Sequence, residues 1–132
     1  MKVTHQFDLI QAVRDVLKTQ VVPVMGSGSK HHFGRPFMTA YQIAIKVRRL
    51  HPSFKPQLPL GGAGTGPGDT LARVVAHDLS VAIANGNAND IEGAFLSNAY
   101  ELKLVYQDEA GNNICSSLTD SDRGVSIFRL KN

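Results

Sequence analysis

The run LPLGGAGTGPGDTLARVV at residues 58–75 contains the residue types of a phosphate-binding loop, since glycine-rich turns ahead of a helix cradle phosphates in nucleotide-binding proteins. A P-loop requires a lysine directly after its last glycine, and no lysine lies between Lys55 and Lys103. The pattern G-x-G-x-x-G fails too, because Pro67 and Asp69 stand where its third glycine should fall. Asp69 would also place negative charge where a phosphate must sit. We therefore expect a loop that starts a helix, not a nucleotide site.

Metal ligands and nucleophiles lack the spacing that their chemistry needs. His31 and His32 are adjacent and generally point apart, and no histidine has a cysteine or carboxylate at ligand spacing. Residues 120–124 resemble the start of a calcium loop, but its twelfth position is Lys131 rather than glutamate. Cys115 lies in a predicted strand, as a small core residue. With no Ser-His-Asp or Cys-His arrangement in a recognisable context, we expect no metal, no cofactor and no enzyme.

Charge divides the chain into two unequal halves. Residues 1–60 carry nine Lys or Arg against two acids, whereas residues 61–132 carry five against nine, for a net charge of +3 overall. No acid occurs between Val16 and Gly68. Such a segment indicates a negative partner, because like charges repel. The partner is either nucleic acid or the acidic half, within one molecule or across a dimer.

Two amphipathic helices are predicted in the basic half. Apolar residues recur at helical spacing from about residue 8 to residue 20, and Pro23 cannot continue that helix. Thr39 and Gln42 form a capping box for the second helix, which ends at Pro52. Between them, residues 26–36 (GSGSKHHFGRP) are typical of a mobile basic loop.

The third helix is expected to begin after the glycine-rich run, with Asp69 or Thr70 as its cap. Asn85 and Gly86 favour its end, because both tolerate a left-handed backbone. The following NGNANDIEG is predicted to be a polar loop.

The apolar period changes to two from Ala94 onward, which predicts strands. Apolar and polar residues alternate over residues 100–106, and residues 114–118 would pair back across the turn DEAGNN. A second turn, TDSDRG, precedes a further predicted strand at residues 125–130.

Length and composition favour one ordinary domain. The 132 residues suit a single domain over 1–132, and 42% apolar with 19% charged residues is a globular composition. No apolar run approaches the roughly 20 residues that span a bilayer. The start MKVTHQFDLIQAV lacks the apolar core of a secretory signal, so we expect a cytoplasmic protein without a membrane partner.

The segments RPFMTAYQIAIKVRRLHPSF and DTLARVVAHDLSVAI, followed by a hairpin, resemble the winged helix, a variant of the helix-turn-helix family, over residues 7–130. The resemblance implies an α+β fold in which a three-helix core is followed by a small antiparallel β-hairpin or sheet. In many relatives the third helix enters the DNA major groove.

These observations predict a nucleic-acid-binding protein, with DNA as the expected ligand and a role as a small transcriptional regulator. Arg73 and His77 of the third helix would approach the bases. The remaining cations would contact phosphates, which bind Lys and Arg without regard to sequence. They are Lys30, Arg35, Lys46, Arg48, Arg49 and Lys55.

Other features of the sequence favour an alternative function. The third helix carries one outward arginine, whereas base reading usually needs several Arg, Asn or Gln side chains. Asp108 and Glu109 make the hairpin turn acidic, so phosphate would repel it. Both features favour a protein–protein interaction module or a homodimer that binds no nucleic acid.

Overall fold

The chain folds into three helices and five short antiparallel strands over the residues that the computed structural model describes, which are 7–21, 34–62, 68–97, 99, 104–115 and 125–131. The helices are α1 (Leu9–Lys18), α2 (Ala40–Leu50) and α3 (Leu71–Ala84). The strands are β1 (Met38–Thr39), β2 (Ile91–Leu96), β3 (Val105–Gln107), β4 (Asn113–Cys115) and β5 (Val125–Leu130). The α+β class is confirmed, while the element order differs from the expected one because β1 lies between α1 and α2.

Each helix begins at a side chain that satisfies free backbone N–H groups. Asp8 caps α1. The capping box of α2 is complete: the backbone N–H of Gln42 donates to Thr39 Oγ1 at 3.2 Å, and that of Thr39 donates to Gln42 Oε1 at 2.8 Å. Thr70, rather than Asp69, caps α3. The predicted helix starts are therefore correct to within a residue or two.

Strand β5 is the centre of a three-stranded antiparallel sheet with the order β1-β5-β2. Phe128 pairs with Met38 on one side and with Gly93 on the other. The separate hairpin β3–β4 pairs Tyr106 with Ile114. Strand β5 therefore joins β1 and β2, the two outer strands, which α2 and α3 separate along the chain.

One side of this sheet and the apolar faces of the three helices enclose the core. The helices contribute mostly branched aliphatic side chains, and β2 and β5 contribute Ile91, Phe128 and Leu130. The largest fully buried side chains are Leu17, Ile43, Leu71, Leu79, Ile91, Val13, Val16, Val47 and Val75.

The prediction of a polar loop through residue 93 was wrong at its end, because Ile91 begins β2 and is fully buried. The expected strand pairing around the acidic turn is present in β3 and β4. Residues 100–103 and 116–118 of those predicted strands, and residues 26–33 of the predicted basic loop, lie outside the described residues.

Candidate nucleic-acid interface

Two of the α2 cations contact an acid from the far end of the chain. Arg49 Nη1 lies 3.2 Å from Glu109 Oε1, and Lys46 Nζ lies 3.8 Å from the same oxygen. Glu109 stands in the turn between β3 and β4, so this acidic turn packs against the basic face of α2. One carboxylate faces two cations, which leaves the cluster with a net positive charge.

Arg48 faces the loop that follows α2. Its Nη2 donates to the carbonyl oxygens of Leu58 at 2.7 Å and Lys55 at 3.3 Å. These acceptors are neutral, so the guanidinium keeps its full charge while its position is fixed. Arg48 therefore holds the α2–α3 loop as well as contributing positive charge.

Arg35 and Lys55 are not part of α2. Arg35 is half-buried, and its Nη1 donates to the carbonyl of Gln20 at the end of α1. Lys55 is exposed and stands at a positive φ of 44°, with its ammonium 5.7 Å from the Phe54 ring centroid. Lys30 lies outside the described residues.

The outward face of α3 is open. Arg73 is exposed and donates to the carbonyl of Gly68 at 3.3 Å. The His77 side chain is 74% exposed, with Nδ1 3.2 Å from the neighbouring Asp78 carboxylate. Ser80 and Val81 continue the same exposed face. Both residues expected to approach bases therefore point to solvent on one helix.

The backbone N–H groups at the start of α3 are already hydrogen-bonded within the chain. The N–H of Leu71 donates to the Pro59 carbonyl and that of Ala72 to the Leu60 carbonyl, each at 2.9 Å. The N–H of Arg73 is bonded to the Thr70 side chain. These donors of the first turn of α3 are therefore not free for an anion, while residues 63–67 of the glycine-rich run lie outside the described residues.

The β3–β4 hairpin packs on α2 through more than its ion pairs. The rings of Tyr41 and Tyr106 stack with centroids 5.4 Å apart and an interplanar angle of 18°. Gly62, at φ 101°, lies against the Cys115 backbone, where any Cβ would overlap the carbonyl oxygen. Between the hairpin, α2 and the end of α1 lies an open polar cleft of about 410 Å³.

Two further ion pairs involve acids of the acidic half, and the first of them ties that half to the basic half. Arg14 of α1 donates through Nε to Asp90 at 3.0 Å. Arg129 pairs with Glu92 across the sheet and lies 4.2 Å from the Phe37 ring centroid. Sequence reasoning found none of these contacts, since each joins residues that are far apart in the chain and of ordinary surface type.

No family model, curated protein or solved structure matched this chain in the comparisons made. No described helix combines the length and apolarity needed to cross a membrane. Within the same described ranges, no three His, Cys, Asp or Glu side chains are grouped to hold a metal ion.

Proposed function

We propose that this chain is a winged-helix-like cytoplasmic domain that binds DNA through the outward face of α3, with the α2 cations contributing to contact with the phosphate backbone. The observation that carries the proposal is the sheet order β1-β5-β2 around three helices. A strand before the second helix pairs with the last strand, and β2 follows α3 in the chain, which supports the proposal of a winged-helix-like fold. In that arrangement α3 takes the place of the recognition helix.

Positive charge on α2 supports binding to an anionic partner. The basic half retains most of its positive charge, because Glu109 opposes two cations and Arg48 bonds only to neutral carbonyls. Arg73 and His77 are exposed together on α3. Lys and Arg side chains supply the non-specific, salt-dependent part of DNA binding.

A second candidate function is a protein-interaction module or homodimer without nucleic-acid binding. The contact of Glu109 with Lys46 and Arg49 favours it, because the acidic half there meets the basic half within one chain.

Fluorescence anisotropy with a labelled random-sequence duplex tests the first proposal. Under it, we expect a Kd of about 10⁻⁴–10⁻⁶ M near physiological salt, with tighter binding at about 50 mM than at about 200 mM salt. The double variant Arg73→Ala/His77→Ala weakens binding, whereas Lys18→Ala, which removes an exposed cation of α1, changes it less. An unchanged Kd in the double variant, or no binding at low salt, would overturn the assignment to α3.

A further inference from the structure

Strand β2 forms an open edge of the three-stranded sheet. The Lys131 N–H donates to the Asp90 carbonyl at 2.8 Å, so Asp90 and Lys131 stand opposite each other as a hydrogen-bonded pair. This pair fixes which residues of β2 bond to β5, because hydrogen-bonded and non-hydrogen-bonded pairs alternate along an antiparallel ladder. By that alternation, the backbone groups of Glu92 and Ala94 point towards β5, and those of Gly93 and Phe95 point the other way. No described residue forms a hydrogen bond with the outward backbone groups of Gly93 or Phe95.

This edge lacks the features that usually protect a sheet edge from another chain. Native edges carry Lys, Pro, bulges or inward-pointing charges. Residues 93–97 are Gly-Ala-Phe-Leu-Ser, without charge or proline, and Gly93, Ala94 and Phe95 are all exposed. Phe95 as a residue is 59% exposed. Such an edge is a template for strand addition.

We propose that β2 pairs antiparallel with β2 of a second copy of this chain, about a twofold axis at Ala94, so that the two three-stranded sheets become one sheet of six. In this register Gly93 stands opposite the partner's Phe95. Each such pair exchanges two N–H···O bonds, which gives about four across the axis. The outward backbone N–H and C=O groups of Gly93 and Phe95 are then all hydrogen-bonded.

Side chains on both faces fit this register. Gly93 and Phe95 share the face of Phe128, since side chains alternate along a strand. The Phe128 ring occupies the space beside Gly93, where a Cβ would come within 3.0 Å of it. The partner's Phe95 therefore lies over a residue without a side chain, next to an aromatic ring.

Charge is compatible with the same pairing. Glu92 is the only charged residue of β2, and it already pairs with Arg129 on the opposite face of the sheet. The register about Ala94 places Glu92 opposite the partner's Leu96 and not opposite a second carboxylate. The two strands therefore meet without like charges in register, which would destabilise a sheet.

Cysteine cross-linking tests the register directly. In a Cys115→Ser background, Ala94→Cys places two thiols across the twofold axis in a non-hydrogen-bonded pair, where Cα atoms are about 4.5 Å apart and a disulfide is within reach. We expect a covalent dimer on a non-reducing gel after mild oxidation. Ser80→Cys, an exposed position on α3 in the same background, is the matched control and stays largely monomeric.

Sedimentation equilibrium supplies the second readout and needs no nucleic acid, so it does not depend on the proposed DNA binding. The unmodified chain sediments as a dimer across the micromolar range, and Phe95→Lys shifts it to a monomer. Val105→Lys, an equal change at an exposed position of β3, leaves the dimer intact. A monomeric mass at every concentration overturns the proposal, as does a dimer that Phe95→Lys leaves intact and Ala94→Cys fails to cross-link.

Discussion

The guanidinium of Arg49 lies 3.2 Å from the carboxylate of Glu109, across 60 residues of chain. This contact places the acidic turn of the β3–β4 hairpin on the basic face of α2. Both side chains are about half exposed, so solvent and salt screen the pair. The turn therefore covers the basic face of α2, which phosphate would otherwise contact, and the ion pair holds it there only weakly.

Glu109→Gln is expected to strengthen DNA binding. The change frees Lys46 and Arg49 for phosphate while keeping the shape of the side chain. Strengthening the contacts of these two cations with phosphate would steepen the slope of log K against log salt by at most about 2. Anisotropy titrations at several salt concentrations measure that slope.

Asp15→Asn is the control for net charge, because Asp15 is an exposed acid of α1 that accepts a hydrogen bond from Gln11 and contacts no cation of α2. If the two variants change affinity and slope equally, Glu109 acts only through net charge and the turn does not compete with phosphate.

Arg48→Ala is expected to lower the free energy of unfolding by about 1.5–3 kcal/mol, the usual range for hydrogen bonds from a charged group. The loss arises because Arg48 holds the carbonyls of Lys55 and Leu58 in the loop whose next residues cap α3. Urea denaturation followed by circular dichroism measures it. Lys46→Ala, which removes a partly exposed ion pair, should cost under about 1 kcal/mol. Equal losses would contradict a structural role for Arg48.

The helices were predictable from the sequence because their signals are local. The capping box of Thr39 and Gln42 and the cap at Thr70 depend on residues within one turn of each other. Strand β2 was missed because the alternation in IEGAFL fails: Gly93 and Phe95 share a face with buried Ile91 and are exposed. Strand β1 is two residues long, and its pairing with β5 spans most of the chain.

The candidate site was predictable only in part, for the same reason. Helical periodicity placed Lys46 and Arg49 on an outer face, and Arg73 and His77 on another. The position of Glu109 against α2 depends on how a distant hairpin packs, through Tyr106 on Tyr41, and no local pattern encodes that contact.

Asp108 should make stability depend on pH in the acidic range. Its pKa lies below the ordinary value of 3.8, chiefly because the backbone N–H of Asn112 donates to the carboxylate, with further bonds from the Asn112 side chain and Ala110. A lowered pKa in the folded state means that the stabilisation is present above about pH 4 and is lost as pH falls through the folded pKa.

Unfolding free energies of the unmodified chain and Asp108→Asn, measured between neutral pH and about pH 2, test this dependence. We expect the unmodified chain to be the more stable at neutral pH and the difference to shrink below about pH 4. A difference that stays constant down to the lowest pH would show that the Asp108 carboxylate contributes nothing through its charge.

Among the glycines that the structure describes, Gly62 is expected to tolerate substitution least, because two separate requirements meet there. Its φ of 101° is one that side-chain-bearing residues rarely adopt, and a Cβ would overlap the Cys115 carbonyl. Gly62→Ala should therefore destabilise the fold by more than about 1 kcal/mol and displace the β3–β4 hairpin from α2.

Two other glycines separate backbone strain from steric overlap as the cause of this loss. Gly111, at φ 88° with no atom near its Cβ position, reports backbone strain alone, and Gly68, which has neither constraint, should accept alanine at little cost. Chemical denaturation of the three alanine variants gives the ranking Gly62, then Gly111, then Gly68. If Gly62→Ala costs no more than Gly111→Ala, the close approach of the hairpin to the α2–α3 loop does not contribute to stability.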